Sequence, residues 1–381
     1  MKKAVKYDFL IVGAGLFGCV CAKELTDRGC RVLVIDRRNR VGGNCAVRTV
    51  NGQTEHVYGP HIFHTDKRFI WDYLNDIEEF IPYKHKVVAV HGGLQYDFPI
   101  NRLTLIKVFG ENAVNVPFAS SASLSNFEEA AVSRIGERLY RMFYHDYTTK
   151  QWGRAPSLLP AEIFSRVPVR FDYNDSYFND KYTGVLSSNR LFEKLLNGAS
   201  LKLNCAFNKR KHREIARCII YTGMVDEYAN YCLGRLPYRS LRFEKRRVAP
   251  YENQGIAVVN FTDARPYTRT CEYGYMYGRS QIGGNRWYEY PIGEFDQKGR
   301  KTEPYYPLPT PEAKGLYHEY VELIEKDFDG QDTIIKFGGR LGSYQYINME
   351  QAVEQALHLV EEIFTQNTFK KFRGENSYAR T

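Results

Sequence analysis

The stretch from Tyr7 to Arg38 constrains the fold of this 381-residue chain more than any other part of the sequence. Phe9 to Val12 is a short apolar run, which predicts a buried parallel strand. Gly13, Gly15 and Gly18 follow it in G-x-G-x-x-G spacing. Such glycines allow a tight turn, close approach of the backbone to a pyrophosphate, and close packing of a helix on a strand.

The residues after these glycines complete a β-α-β unit. The pattern predicts a helix to about Arg28, a stop at Gly29 and a second strand from Arg31 to Ile35. The start of the helix offers free N–H groups to an anion. Asp36 ends the second strand, where it can accept hydrogen bonds from a ribose. The unit predicts a dinucleotide site, and a glycine-rich turn of another α/β fold is the alternative.

A second glycine pair indicates which dinucleotide. The motif RNRVGGN places Gly42 and Gly43 just after the acid. A nicotinamide domain does not usually need such a pair, whereas the extended FAD of two-domain flavoproteins does, so FAD is favoured over NAD. A simple loop pair is the alternative. The cofactor-binding residues predicted here are Gly13, Gly15, Leu16, Phe17, Gly18, Asp36, Arg37, Gly43 and Asn44.

Composition narrows the class of partner. The chain is 43% hydrophobic and 25% charged, as in ordinary globular proteins, and its net charge is +9. This charge suits a small anionic substrate and at most peripheral contact with a membrane. The densest basic run, Lys209 to Arg213, has no interleaved aromatics, so we do not expect it to bind nucleic acid. We expect it to lie at a solvated edge. We also expect a homo-oligomer.

The eight cysteines form no C-x-x-C pair, so we expect reduced, buried thiols and no metal site. The lysines at positions 2, 3 and 6 and the apolar run behind them resemble a signal peptide. That reading is rejected because cleavage there would destroy the glycine motif. No apolar run reaches the ~18 residues of a membrane span, and we expect a cytoplasmic protein.

The rest of the chain predicts an α/β fold with a Rossmann-like FAD-binding domain, an inserted helical-bundle lobe and an antiparallel β-sheet domain. The predicted lobes are residues 1–80, 183–225 and 315–381 for FAD, 102–155 for the helices, and 81–101, 156–182 and 226–314 for the antiparallel sheet. Helices are predicted at 71–80, 101–112, 125–147, 191–196 and 349–364, and strands at 87–90, 94–98, 201–207, 218–222 and 334–340.

Local signals support two of these helices. Ser125 with Glu128 predicts a capping box. Apolar residues then recur every four positions as one buried stripe, namely Phe127, Ala131, Ile135, Leu139 and Phe143. Asn348 is predicted to cap the last helix, whose positive end would then face a flavin. His61, beside the Gly59-Pro60 turn, either faces the isoalloxazine ring or is a structural histidine.

Longer motifs carry a specific resemblance. GAGLFGCVCAKEL, RNRVGGN, YGPHIFHT, YTTKQWGR, RVPVRFDYND, YRSLRFE, NFTD, PYTR, EPYYP and FGGRLGSYQY together resemble the bacterial UDP-galactopyranose mutase family. The resemblance runs from about Tyr7 to about Phe364. It implies an FAD-dependent enzyme that interconverts UDP-galactopyranose and UDP-galactofuranose without net redox change. It also implies that N5 of the reduced flavin displaces UDP from the anomeric carbon and forms a sugar adduct, which opens and recloses.

The resemblance further implies roles for single residues. Arg170 and Arg269 match the two diphosphate-binding arginines, whose charge would stabilise a departing diphosphate. His61 matches a histidine beside the reactive edge of the flavin, and Arg340 and Asn348 fall at further cofactor positions. The uracil platform and the hydroxyls around the diphosphate correspond to Phe143, Tyr147, Trp152, Tyr182, Tyr305, Tyr306 and Tyr346.

The sequence departs from the family pattern in three places. Ser187 to Arg190 replaces G-G-Y-T, Asn348 stands where aspartate is common, and the run from Gly274 to Gly284 differs. These departures leave open a related mutase for another nucleotide sugar, or a binding protein without activity. A flavin oxidoreductase that shares only the FAD domain is a further alternative. A lid is expected from Trp152 to Arg170.

Overall fold

The computed structural model describes residues 6–110, 125–166, 168–278, 284–328 and 333–365. Seventeen strands lie in these ranges. In chain order they are β1 (Tyr7–Val12), β2 (Val32–Ile35), β3 (Val47–Val50), β4 (Gln53–His56), β5 (Phe63–Thr65), β6 (Ile81–Pro82), β7 (Val87–His91), β8 (Leu94–Phe98), β9 (Tyr182–Val185), β10 (Ser200–Lys202), β11 (Ala216–Tyr221), β12 (Tyr238–Val248), β13 (Val258–Phe261), β14 (Arg269–Cys271), β15 (Gly284–Ile292), β16 (Tyr306–Pro307) and β17 (Ile334–Phe337).

The same ranges hold eleven α-helices, a π-helical turn at Arg141–His145 and several short 3-10 turns. The α-helices are α1 (Leu16–Asp27), α2 (Arg68–Asn75), α3 (Arg102–Phe109), α4 (Phe127–Tyr140), α5 (Asp146–Trp152), α6 (Arg190–Leu195), α7 (Lys209–His212), α8 (Val225–Tyr228), α9 (Pro311–Lys326), α10 (Gly339–Gly342) and α11 (Met349–Thr365).

Five strands form a parallel sheet in the order β10-β2-β1-β11-β17. Its two faces carry separate apolar cores, because alternate residues of a strand point to opposite sides. Phe9 and Ile11 pack with α1 and α11, whereas Leu10 packs with α9 on the other face. Coverage of both faces explains why the strands read as continuous apolar runs. The predicted Rossmann-like α/β class is confirmed.

A second sheet has seven strands in the order β16-β12-β15-β14-β13-β7-β8. Neighbours are antiparallel except β13 and β7, where Val258 lies opposite Val87 in a parallel pair. The β7–β8 hairpin turns at Gly92 and Gly93, both with positive φ, as its sequence predicts. Helices α3, α4 and α5 and the π-helical turn cover one face of this sheet.

The helix α4 confirms its predicted stripe but not its predicted cap. All five stripe residues are buried. The helix begins at Phe127, later than predicted, so Asn126 is the N-cap and its Oδ1 accepts from the N–H of Glu129. Ser125 donates its hydroxyl to the Glu129 carboxylate instead of pairing with Glu128. The predicted Ser125–Glu128 box is therefore wrong by one residue.

Other boundaries also differ. The helix predicted at 71–80 ends at Asn75, because the chain turns there into the short strand β6. The strand predicted at 201–207 covers only 200–202, and residues 111–112 lie outside the described ranges. Cys45 and Cys205 are only half-buried and Cys232 is exposed, against the expectation of buried thiols. The lobe boundaries stay a prediction.

In the described part of the chain, no helix combines the length and the apolar character that a membrane crossing needs. Within the same residues, no group of three or more His, Cys, Asp or Glu side chains is placed to hold a metal ion.

Candidate active site

The glycine turn sits between β1 and α1. Gly13 has φ +116°, and a Cβ on Gly18 would lie 2.1 Å from the carbonyl oxygen of Gly13, so helix and turn touch only through glycine. Gly15 is the N-cap and gives α1 no side-chain cap. The first N–H groups of α1, beginning at Leu16 and Phe17, therefore face the turn uncapped, as an anion site requires.

Asp36 ties this turn to the second strand. Its Oδ2 accepts from the N–H of Ala14 and its Oδ1 from the N–H of Arg38, both at 2.8 Å. Each carboxylate oxygen keeps a second acceptor site, so a ribose hydroxyl can still bind. A Cβ on Gly43 would lie 2.8 Å from the Cα of Gly15, which means that the two glycine loops meet backbone to backbone. This cradle fits an extended dinucleotide.

Arg37 and Asn44 lie around the same cradle. Arg38 donates to Asn44 Oδ1 at 3.1 Å and to Glu303 Oε1 at 2.7 Å, and its guanidinium lies 4.6 Å from the centre of the Tyr58 ring. Arg37 reaches the same Glu303 at 3.4 Å. Because Glu303 opens the EPYYP loop, these contacts join the cofactor cradle to the loop that carries Tyr305 and Tyr306.

The replaced turn at 187–190 also supports this cradle. Asn189 Oδ1 accepts from the N–H of Val47 and its Nδ2 donates to the carbonyl of Val47, both at 2.9 Å. A Cβ on Gly42 would lie 2.7 Å from the Phe192 ring. The departure from G-G-Y-T therefore preserves a packed support for the second glycine pair.

A cavity of about 730 Å³ lies between the antiparallel sheet, the helical segment 143–152 and the start of α11. Its size is within the ~300–1,000 Å³ of small-molecule sites. It collects side chains that are distant in sequence. Ten predicted residues line it, namely His61, Phe143, Tyr147, Trp152, Arg269, Tyr305, Tyr306, Arg340, Tyr346 and Asn348.

Arg269 is the central cation of this cavity. It projects from β14, donates from Nη2 to the Tyr147 hydroxyl at 2.8 Å, and lies 3.4 Å from Glu289 Oε1. Burial acts against its charge, but Glu289 and Tyr147 hold the pKa of Arg269 above its ordinary value. Burial likewise raises the pKa of Glu289, against the pull of Arg269. The side chain keeps 26% of its exposure, so the fixed guanidinium is only partly desolvated and is accessible to a diphosphate.

His61 is held as a neutral ring. Its Nδ1 lies 2.9 Å from the carbonyl oxygen of Gly59, and only a protonated nitrogen can donate there. Its Nε2 therefore keeps a lone pair. Burial first, then the charge of Arg340, lowers the pKa of His61 to about 4. At neutral pH His61 can accept a hydrogen bond but carries no charge.

A buried hydrogen-bond chain fixes the loop behind His61. The N–H of His61 donates to His56 Nδ1 at 3.2 Å, so the proton of His56 must be on Nε2. That nitrogen lies 3.0 Å from the Tyr277 hydroxyl, which donates to the carbonyl of Leu186 at 2.8 Å. Tyr277 belongs to the divergent 274–284 run, and this residue of the run supports the site.

The aromatic residues form a wall. Phe143 lies in the π-helical turn and packs against the edge of Tyr96 at 5.2 Å. The turn widens the helix at the cavity, and such insertions are frequent at functional sites. Trp152 packs edge-on against Tyr306 at 5.1 Å and Tyr346 at 5.7 Å. Trp152 is therefore held in place by both tyrosines.

Arg340 and Asn348 fix the approach to α11. Arg340 donates from Nε and Nη2 to the carbonyl of Ile347, at 3.2 and 2.7 Å. Asn348 Oδ1 accepts from the N–H of Gln351, and Gln351 Oε1 accepts from the N–H of Asn348. The predicted cap of the last helix is confirmed, as a reciprocal box.

Two predicted binding residues do not line the cavity. Arg170 is buried and donates from Nε to Asn179 Oδ1 at 3.0 Å, and Asn179 stands between it and the cavity. The ring of Tyr182 stacks on Trp71 at 5.5 Å. Tyr182 lies there because β9 pairs with β5 and turns this side chain away from the cavity.

The cavity also contains polar residues that the sequence did not single out, among them His85, Asn260 and Glu289. Asn260 is buried, and within the described residues its Oδ1 has no hydrogen-bond partner. Glu289 shares the buried face of β15 with Trp287, two residues earlier, so an inward-facing acid was readable from the strand pattern. His85 follows an irregular stretch, which gave no such signal.

Known proteins match the chain over most of its length. Residues 142–346 match the family model of UDP-galactopyranose mutase, and residues 11–77 match NAD(P)-binding Rossmann-like domains. A "Probable UDP-galactopyranose mutase" of Klebsiella pneumoniae is 36% identical, covering 94% of this chain and 95% of that protein. A dTDP-fucopyranose mutase of Escherichia coli is 31% identical, covering 92% and 97%.

A solved structure has the same fold. A reduced UDP-galactopyranose mutase superposes with a TM-score of 0.74 at 14% identity, covering 97% of this chain and 98% of that one. Together, the family match and the relatives identify the chain as a member of the UDP-galactopyranose mutase family of isomerases.

Proposed function

We propose that this protein is a flavin-dependent mutase that interconverts UDP-galactopyranose and UDP-galactofuranose, with FAD as cofactor. The observation that carries the proposal is the partly buried Arg269, held between Tyr147 and Glu289 in a cavity beside the dinucleotide fold. The names of the relatives supply the substrate class. Aromatic rings, a neutral imidazole and a partly buried cation line the same cavity, and this combination suits a nucleotide sugar.

The cofactor would be held by the glycine cradle and by the start of α11. The uncapped start of α1 would bind the pyrophosphate and Asp36 the ribose. Arg340 and Asn348 keep α11 in place, so that its positive end meets the cavity. When bound in reduced form, the flavin supplies a nucleophilic nitrogen for the anomeric carbon, with no net redox change.

The diphosphate would bind Arg269. Its charge is already oriented by Tyr147, so little reorganisation opposes the departure of an anion. Arg170 would be a second cation for the diphosphate. It would break its hydrogen bond with Asn179 when the segment 152–170 closes over the substrate. Glu162 and Phe164 of this segment already line the cavity, which supports placing the segment against the ligand. Closure would exclude water from the reacting sugar.

The base would lie against Phe143 and Tyr147. The free Oδ1 of Asn260 can accept from N3–H of a uracil, and the Nδ2 of the same amide can donate to a base carbonyl. Neutral His61 would accept a hydrogen bond from a sugar hydroxyl or from the cofactor, and it lies 6.4 Å, ring to ring, from Tyr305. These contacts orient the substrate without adding charge at the sugar.

The test is direct conversion. Dithionite-reduced, flavin-loaded protein is incubated with UDP-galactofuranose, and UDP-galactopyranose is followed by chromatography. We expect conversion only with reductant present. A parallel incubation with a dTDP-fucose substrate addresses the related mutase from E. coli. Conversion of the dTDP sugar alone would change the assigned substrate, and no conversion of either by folded, flavin-loaded protein would refute the proposal.

A further inference from the structure

The ammonium group of Lys150 is surrounded by carbonyl oxygens of one loop. Its Nζ donates to four of them, at 2.9, 2.7, 3.0 and 3.3 Å, and they belong to Phe261, Asp263, Arg265 and Tyr267. These carbonyls come from alternate residues and all turn toward the same point. An ammonium has only three N–H groups, so the four oxygens share them. A ring of backbone carbonyls is how proteins also hold a bare monovalent cation.

The enclosed loop leads directly into Arg269, the first residue of β14. Residues 262–268 join β13 to β14, and Asn260 lies directly opposite Arg269 where the two strands begin to separate. Both side chains line the cavity. The conformation of the loop therefore sets where Arg269 and Asn260 stand.

The backbone of Lys150 lies in the cavity wall opposite the loop. Lys150 lies on α5 with Tyr147 and Gln151, which line the cavity. The guanidinium of Arg239 donates to the carbonyls of Lys150 and Gln151, both at 3.1 Å, and so anchors the end of α5 to β12. Lys150 thus spans from an anchored helix to the loop before Arg269.

Its charge is present at neutral pH. Burial lowers the pKa of Lys150 to about 8, while the carboxylates of Asp263 and Asp146 act the other way. Without a cation, four carbonyl dipoles would point at one another with nothing between them. The loop would then open and let water reach these carbonyls, because partly buried carbonyls without a donor are costly.

We propose that Lys150 is a positioning residue that acts as a tethered monovalent cation: its ammonium closes the loop 262–268 and holds Arg269 against Tyr147. The part that concerns nucleotide binding rests on the proposed function. The loop and the helix would separate without this cation, and the 2.8 Å bond between Arg269 and Tyr147 would be lost.

Lys150→Ala tests this by chemical rescue. Removing the side chain leaves a space lined by carbonyls that free ammonium can enter. We expect the melting temperature to fall, UDP to bind about tenfold more weakly, and ammonium chloride to restore both. Tetramethylammonium chloride at equal ionic strength is too large to fit and should restore neither.

Two controls make the result specific. Lys107→Ala removes a lysine whose Nζ donates to a single carbonyl, that of Gln95, and should show neither loss nor rescue. Lys150→Arg keeps the charge, but its planar fork cannot be enclosed by four oxygens, so it should stay impaired.

Equal rescue by both salts, or no rescue of a folded Lys150→Ala, would overturn the inference. If that variant does not fold, Lys150→Met carries the test, and unchanged UDP affinity in it would overturn the inference too. A wild-type protein that does not bind UDP would instead refute the proposed function. In that case the ammonium-dependent melting temperature of Lys150→Ala still decides the role of Lys150.

Discussion

The two sheets of this protein bury different kinds of side chain. In the parallel sheet, β2 reads VLVI with all four residues buried, and β1 and β11 are nearly as apolar. Beside the antiparallel sheet, His56, His85, Glu272 and Glu289 are buried. Two of them, His85 and Glu289, line the cavity together with Arg269. The first sheet gains free energy from every buried side chain, at about 1.5–3 kcal/mol for each large apolar one.

In the second sheet, desolvation of polar groups offsets part of the free energy gained by burial. Its buried imidazoles and ion pair cost desolvation free energy that hydrogen bonds only partly return. The parallel half therefore contributes mainly to folding stability, whereas the antiparallel half holds buried polar groups that can bind a ligand. Four predictions can break or sharpen this contrast.

Acid should weaken the cavity half first. Burial, the largest cause in each case, lowers the pKa of His56 and His85 to about 3 and that of His61 to about 4, below the ordinary 6.5. The unfolded chain therefore binds more protons, and stability falls as pH drops below about 6.5. At pH 5 each histidine costs about 2 kcal/mol, or roughly 6 kcal/mol together.

The parallel half should respond in the opposite sense. Burial raises the pKa of Asp226, packed beside that sheet, to about 6. The folded state then holds this proton more tightly, so Asp226 favours folding as pH falls through 6. Hydrogen exchange at pH 7.5 and pH 5 should show β7 and β13 opening before β1 and β11. His56→Asn should flatten the pH slope of unfolding and exposed His318→Asn should not, and uniform opening of both sheets contradicts the contrast.

Arg269→Ala should abolish most activity while the flavin stays bound. Loss of a preorganised cation at a departing anion costs about a thousandfold in turnover, or roughly 4 kcal/mol. Conversion of UDP-galactofuranose and the flavin absorbance measure the two effects separately. The matched control is Arg242→Ala, which removes an exposed guanidinium lying 3.9 Å from the centre of the Tyr290 ring. Near wild-type turnover by Arg269→Ala would mean that the reaction does not take place beside Arg269 on this sheet.

Gly43→Val changes the glycine cradle beside the parallel sheet and should weaken cofactor binding. The new Cβ would lie 2.8 Å from the Cα of Gly15, and two backbones cannot separate without opening the cradle. Overpacking of about 1–3 kcal/mol corresponds to about 5–150-fold weaker flavin binding. Flavin content of purified protein measures it, with circular dichroism to confirm folding.

The control for that variant is Gly315→Ala in α9, where a Cβ meets no atom within 4 Å. It should keep its flavin and gain up to ~1 kcal/mol in stability from better helix propensity. Full flavin content in Gly43→Val would show that the cofactor does not pass between the two loops.

Tyr277→Phe should have the smallest effect. It breaks the chain from His56 to Leu186 and leaves a buried donor and a buried carbonyl unpaired, which costs about 1–2 kcal/mol. Urea unfolding measures the loss. Tyr251→Phe is the control, because that side chain is 88% exposed. Equal stability of the two variants would mean that the loop before His61 needs no support from Tyr277.

The parallel half could be predicted because its signals are local. The strand, the glycine turn, the helix and Asp36 lie within one stretch of about thirty residues, and their order alone defines the unit. The reciprocal cap at Asn348 was likewise readable from neighbouring residues. The N-cap at Asn126 was missed by one position, because two adjacent polar residues can serve as caps.

The cavity was harder because its residues meet through strand register. Asn260 and Arg269 face each other across β13 and β14, and Glu289 reaches Arg269 from β15. Family resemblance supplied Arg269 and Tyr147, but neither the bond between them nor Glu289. Arg170 and Tyr182 lie away from the cavity because Asn179 and Trp71 bind them, and neither contact has a sequence signal.

The contact between Arg38 and Glu303 makes the two halves thermodynamically dependent on each other. Arg38 belongs to the cofactor cradle, and Glu303 begins the loop that carries Tyr305 and Tyr306 into the cavity. A partly exposed ion pair of this kind is worth at most ~1 kcal/mol, which limits any cooperativity through it to about fivefold. Coupling between two binding sites is reciprocal. If cofactor in the cradle raises the affinity for a sugar nucleotide by some factor, a bound sugar nucleotide raises the affinity for the cofactor by the same factor.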